Sequence, residues 1–125
     1  MDKYQALQSF WSSFGMPAYD ENTVPSGDKK PAFPYVTYSV TVSDFNHPAA
    51  LSASIWDYGM SWTRITAKLT EIEAAIGYGG VLRAFDDGAV WFKKGSPFAQ
   101  RMSDPDDMIR RIYMNIEAEF ITAYE

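Results

Sequence analysis

The chain contains no cysteine. Disulfides, thiolate nucleophiles and cysteine-ligated metals are therefore excluded, and the sequence suits a reducing compartment. Histidine is almost as scarce. His47 is the only one, in the turn-forming stretch FNHP, with no serine, cysteine or ligand spacing around it. Neither a hydrolase triad nor a zinc site can be built on that. No run approaches the ~18 apolar residues of a membrane helix. The opening stretch MDKYQALQSFWSSFG alternates polar and apolar residues where a signal peptide has a continuous apolar block. The expectation is a soluble, cytoplasmic protein. Basic residues are few as well: 11 Lys+Arg against 16 Asp+Glu, for a net charge of -5. Wrapping nucleic acid needs clustered Lys and Arg, and no basic run is present. An acidic wall remains compatible with a channel through which DNA slides without sticking.

What the sequence does contain is apolar and aromatic mass. With 125 residues, 46% of them hydrophobic, it fits one domain over 1–125. A chain of that length buries roughly two-thirds of its unfolded surface. Aromatics reach 16%, with 4 Trp, 8 Tyr and 8 Phe. Such side chains serve cores and are favoured at interfaces.

Hydrophobic periodicity gives the elements. Leu7, Phe10, Trp11 and Phe14 fall at helical spacing, predicting a helix over 2–14 with Asp2 as N-cap and Gly15 as its stop. Five prolines and glycines over 16–34 predict a long irregular loop. Residues 35–44 alternate Val36, Tyr38, Val40 and Val42 with Thr and Ser, predicting a strand. Residues 51–58 predict a second. Trp62, Ile65, Leu69, Ile72 and Ile76 predict a helix over 61–76, ended by Gly77. Residues 81–85 and 89–94 predict a hairpin whose Asp87-Gly88 suits a type I′ turn. Residues 111–122 predict a last strand. The expected fold class is α+β: two main helices on one face of a mostly antiparallel β-sheet, in the order α-β-β-α-β-β-β, with a long Pro-rich loop after the first helix.

The segment 95–107, GSPFAQRMSDPDD, is long for a hairpin loop. Its SDPDD resembles a cation site but lacks the spacing of an EF-hand. Asp104 as N-cap, Pro105 at N1 and acids in the first turn read better as a helix start. Ser96 and Pro97 predict another short helical turn, with Phe98 and Met102 on one side. The two side chains either tuck under the sheet or project toward a neighbouring chain, where an aromatic anchor beside Arg101 has the make-up of a hot spot. Arg110 and Arg111 are adjacent, so a strand sends them to opposite sides. Asp86 and Asp87 at a hairpin tip and the glycines of GYGG read as turn chemistry. No catalytic, cofactor or metal site is expected.

Three stretches, FWSSFGMPAYDENTVP, WTRITAKLTEIEAAIG and PFAQRMSDPDDMIRRIYMNIEAEFIT, resemble the tail-terminator, or tail-completion, proteins of tailed bacteriophages and prophages. These are also described as minor capsid proteins in phages of Gram-positive bacteria. The resemblance covers nearly the whole chain. It implies an α+β fold and a homomeric ring, typically of six copies, that caps the tail tube and joins it to the head. The implied partners are further copies, the tail-tube protein and the head–tail connector, with no membrane and with DNA only passing through the lumen. The implied location is the virion tail, with assembly in the host cytoplasm. The family has no catalytic residues to carry over. With that resemblance, Phe98, Gln100, Arg101 and Met102, together with Tyr19, Asp20, Glu21, Phe33, Arg110 and Arg111, form the expected interface set. Large aromatics at polar-face positions, Trp56, Trp91 and Tyr113, are easier to explain in a ring than in a monomer. Two other readings stand beside it. One is a small pocket domain that binds or isomerises an apolar ligand, with Asp44 or Asp57 as its acid. The other is a nucleic-acid-binding protein.

Overall fold

The computed structural model describes residues 1–41 and 49–122. Helix α1 (Lys3–Ser12) begins at Asp2, whose carboxylate accepts from the Gln5 N–H at 2.9 Å while the Gln5 side chain accepts from the Asp2 N–H at 2.8 Å. This reciprocal capping box satisfies two of the donors that a helix start leaves open. A short strand β1 (Ala18–Asp20) and two 3₁₀ turns, Glu21–Thr23 and Gly27–Lys29, lead to β2 (Tyr35–Thr41). Then follow β3 (Ala49–Tyr58), helix α2 (Thr63–Ile76), β4 (Val81–Phe85), β5 (Gly88–Met102) and β6 (Ile109–Thr122). Helix α2 ends on Gly77 at φ +72°, a left-handed conformation that a Cβ would strain.

The strands form one six-stranded sheet in the order β1-β2-β3-β6-β5-β4. Pairing is antiparallel except between β1 and β2, which run parallel. On one face Val36, Leu51, Ile55, Val90, Phe92, Ile112 and Met114 are buried against Leu7, Phe10 and Trp11 of α1 and Ile65, Ile72 and Ile76 of α2. Phe10 stacks on Phe92 with ring centroids 4.1 Å apart and meets Trp11 and Phe14 edge-on. That aromatic stack is where α1 is fixed to the sheet.

The expected fold class is corrected. The molecule is mostly sheet, its sheet is mixed, and its element order contains an extra strand. The addition is β1, inside the segment read as an irregular Pro-rich loop. Pro17 marks the start of that strand without interrupting it, and its carbonyl accepts the Val36 N–H at 2.9 Å. The hairpin turn also differs. Phe85 pairs with Gly88, so Asp86 and Asp87 form the tip, and no non-glycine residue described has positive φ. A type I′ turn is therefore not formed.

The largest departure lies in 95–107. Strand β5 runs through to Met102, and the connection to β6 shrinks to 103–108. Neither expected helical turn forms. Residues 95–98 make a wide bulge: Lys94 pairs with Ile116 and Ala99 with Met114, so four residues stand opposite Asn115 alone. Asn115 Nδ2 donates to the Pro97 carbonyl at 3.0 Å and closes the bulge. A Cβ on Gly95 would lie 2.8 Å from the Asn115 carbonyl oxygen, which is why glycine stands there. Asp104 and Asp106 accept from the N–H groups of Asp106 and Met108, so their carboxylates shape a turn and no helix begins on them. The expected strand end at 42–44, the FNHP turn with His47, and Asp44 lie outside the described residues.

The Phe10–Phe92 stack predicts that Phe10→Ala destabilises the fold by ~3–5 kcal/mol, read by denaturant unfolding. Trp11 is fully buried but its indole N–H has no acceptor among the described residues. Trp11→Phe, which removes that unsatisfied donor, is expected to cost less than half as much.

Candidate interaction surface

The sheet has a second face, opposite the helices, whose side chains follow from the strand register. One cross-strand row reads Tyr35, Trp56, Arg111, Met102; the next reads Thr37, Ser54, Tyr113, Gln100. Tyr35 and Trp56 rings are parallel at 6.3 Å, and the Arg111 guanidinium lies 4.6 Å from the Trp56 ring centroid. Trp56 Nε1 donates to Thr37 Oγ1 and Arg111 Nε to Ser54 Oγ, both at 3.0 Å. The row is thus held in place by hydrogen bonds to the hydroxyls of the next. Phe33 bridges Tyr35 and Tyr58, and Tyr19 meets Tyr35 edge-on. Beyond the second row the face becomes polar around a groove of about 620 Å³ lined by Thr41, Ser52, Ser96, Tyr113, Asn115 and Glu117.

A second cluster lies at the same end of the β5–β6 ladder, on the helix side. Trp62, just before α2, has the Arg101 guanidinium 4.5 Å and the Arg110 guanidinium 5.5 Å from its ring centroid. Arg110 donates to the backbone carbonyls of Asp107 and Met60. Arg101, Arg110 and Arg111 make no ion pair among the described residues. Each is held by an aromatic plane, an arrangement worth about 0.5–2 kcal/mol according to how dry the site is.

The expected interface residues therefore fall into groups. Arg111, Met102, Tyr19 and Phe33 belong to or adjoin the outer aromatic row, and Gln100, next to Met102, donates from Nε2 to its Sδ at 3.2 Å. Arg101 and Arg110 gather on Trp62. Phe98 stands apart: it is half-buried at the bulge, packed partly on the core, with Lys94 Nζ 5.8 Å from its ring. The expected helical face shared with Met102 does not exist, because the segment is strand and no helix forms. Asp20 caps the first 3₁₀ turn through the Asn22 N–H, and Glu21 is exposed in that turn. Trp62 and Tyr35 were missing from the expected set. In the sequence Trp62 reads as the first residue of a helix stripe, and Tyr35 as a strand start. The signal for Tyr35 and Trp56 was parity, since both fall on the Thr/Ser side of their strands.

Asp57, the other candidate acid, faces the helices beside Arg110 and is buried. Its carboxylate forms a bidentate pair with Arg64 and accepts the Tyr58 N–H at 2.8 Å. Burial alone would raise its pKa, but the hydrogen bonds from Arg64 and Tyr58 and the Arg64 charge outweigh it and hold the carboxyl below its ordinary value. The pair ties the end of β3 to the first turn of α2.

No family model and no curated protein sequence matches this chain. Among solved structures, it is similar in fold to a chain from the virion of a native gene transfer agent particle, with a TM-score of 0.53 and 23% sequence identity. The match covers 94% of this chain and 90% of that chain.

Because the folded-state pKa of Asp57 is depressed, its contribution to stability is complete above the ordinary carboxylate range and is lost as pH falls below about 4. Arg64→Ala is expected to lower stability at neutral pH, because it leaves the buried Asp57 carboxylate without its cation. The difference between wild type and variant is expected to shrink with acidification. Urea midpoints measured between pH 7 and pH 3 check both statements.

Proposed function

We propose that this chain is a structural component of a phage-like virion, and more finely a tail terminator: a ring of copies, six in number, that caps the tail tube and joins it to the head connector. The observation that carries the reading is the fold shared end to end with a virion chain. The three sequence stretches that resemble tail-terminator proteins support it independently of the coordinates.

The surface chemistry fits such a part. Trp, Tyr and Arg are the residues that dominate binding energy at protein interfaces. Here they gather on both sides of one end of the β5–β6 ladder: Tyr35, Trp56 and Arg111 outside, Trp62, Arg101 and Arg110 on the helix side. Trp56 and Trp62 are already oriented by guanidiniums, and Tyr35 by stacking on Trp56, so little side-chain entropy is left to lose on docking. A net charge of -5 suits a ring through whose lumen DNA passes.

Light scattering across a concentration series, followed by electron microscopy with cognate tail tubes, tests the reading. The expected result is a six-copy species, or rings at tube ends. The double variant Trp56→Ala, Trp62→Ala is expected to assemble at least about tenfold more weakly, as loss of hot-spot aromatics implies. A wild-type monomer at every concentration that also ignores tube ends would overturn the proposal.

A further inference from the structure

The sheet ends at β1 on one side. On the other it ends at β4 and at the half of β5 that β4 does not reach. Open edges invite pairing with other chains, and proteins usually blunt them. Two of these edges are blunted. In β1 the Ala18 carbonyl accepts from Gln8 Nε2 at 2.8 Å and the Asp20 carbonyl from Thr23 Oγ1 at 3.1 Å. The free half of β5 carries Lys93, Lys94, the bulge at 95–98 with Pro97, and Arg101.

Of these devices strand β4 has only one charge, Arg83, which lies on the helix face. Its sequence is VLRAF, without proline, lysine or bulge. The two-residue turn makes Phe85–Gly88 a hydrogen-bonded pair, so Phe85, Arg83 and Val81 aim their backbone groups at β5. Leu82 and Ala84 aim theirs outward. The Asp86 N–H continues the alternation, reaching away from β5 to the Met1 carbonyl at 2.8 Å. The N–H groups of Leu82 and Ala84 and the Ala84 carbonyl have no protein partner among the described residues. Both residues are exposed, Leu82 at 58%, and their side chains lie on the outer face beside Trp91 and Ala89. Arg83, on the helix face, donates among the described residues only to the Leu82 carbonyl, at 3.3 Å, and lies over the Phe10 ring at 5.7 Å.

We infer that β4 is a docking edge for an extended strand of a partner protein, which adds to the sheet as a seventh strand. The occupant's chemistry follows from β4. A residue opposite Arg83 falls on the same face as its guanidinium, which forms no ion pair among the described residues, and is acidic. The residues flanking it lie on the outer face with Leu82 and Ala84 and are apolar. Strand addition takes affinity from main-chain hydrogen bonds and specificity from such alternate side chains. The β4 of a second copy is a poor occupant, because full antiparallel overlap sets one Arg83 against the other, and like charges directly opposite are destabilising. The inference stands apart from the virion reading: a chain that forms rings and leaves β4 unoccupied defeats only this proposal.

Amide hydrogen exchange of the full chain, read by NMR, tests it. The probe is a nine-residue peptide of alternating threonine and valine with a central glutamate, at millimolar concentration. Its counterpart carries a central lysine. The expected result is that the glutamate peptide slows exchange of the Leu82 and Ala84 amides by about tenfold and the lysine peptide does not. Leu82→Pro removes an outward N–H at an edge position that tolerates proline and is expected to abolish the effect. Arg83→Glu is expected to reverse the preference between the peptides. No slowing with either peptide would overturn the proposal, as would equal slowing with both. Slowing that appears without peptide as protein concentration rises would overturn it too, and would assign the edge to a second copy.

Discussion

Everything in this fold depends on the register of β6. The strand lies between β3 and β5 and sends Ile112, Met114, Ile116 and Ala118 to the core and Arg111, Tyr113, Asn115 and Glu117 to the outer face. A slip of one residue would exchange the two sets. It would bury three charges or amides under the helices and expose the core. Pairing with β3 holds the register over ten consecutive residues. Pairing with β5 holds it on both sides of the bulge, because three extra residues are absorbed opposite Asn115 and Ala99 re-enters on the core side. The bulge is therefore the condition under which one strand of fifteen residues can stay paired along its length.

Much of this was legible in the sequence because period-2 and period-3.6 patterns report burial directly. The stripe Ile65, Ile72, Ile76 and the alternation in β6 were read correctly for that reason. Asp2 was legible as a cap because it precedes the apolar stripe of α1; its reciprocal bond with Gln5 appears in the structure. What was not legible shares one physical feature: the deciding partner is far away in sequence. Strand β1 is three residues long and has no pattern of its own; it exists because β2 offers an edge and Gln8 reaches the Ala18 carbonyl. In 95–102, serine and proline looked like a helix start. The strand wins because Asn115 bonds the Pro97 carbonyl and Gly95 lets the two backbones approach. Asp104 was read as a cap, and it does accept a nearby backbone N–H, but the chain turns back into β6 before a helix can begin.

The candidate surface was half legible. Arg101, Arg110 and Arg111 stood out by charge and adjacency. The rings that position them did not, because Trp56 and Trp62 are separated from those arginines by roughly forty or fifty residues of sequence. The cross-strand register brings Trp56 beside Arg111, and the turn after β3 brings Trp62 to Arg101 and Arg110. A guanidinium on an indole plane keeps its charge and its outward donors while gaining a dry support. Six residues on two faces of one hairpin end thus become a single rigid corner, although no local motif joins them.

That corner and the β4 edge are at opposite ends of the long ladder formed by β5 and β6. Met102 and Arg111 pair at one end, and Gly88, next to the β4 turn, pairs at the other. The two ends differ in kind. The aromatic corner offers preoriented side chains and suits a complementary protein surface. The edge offers unpaired backbone groups and suits an extended segment. An isologous contact that matched each end with itself would set guanidiniums on guanidiniums at one end and Arg83 on Arg83 at the other. Neither end therefore favours its own like, and each suits a partner surface of complementary shape and charge.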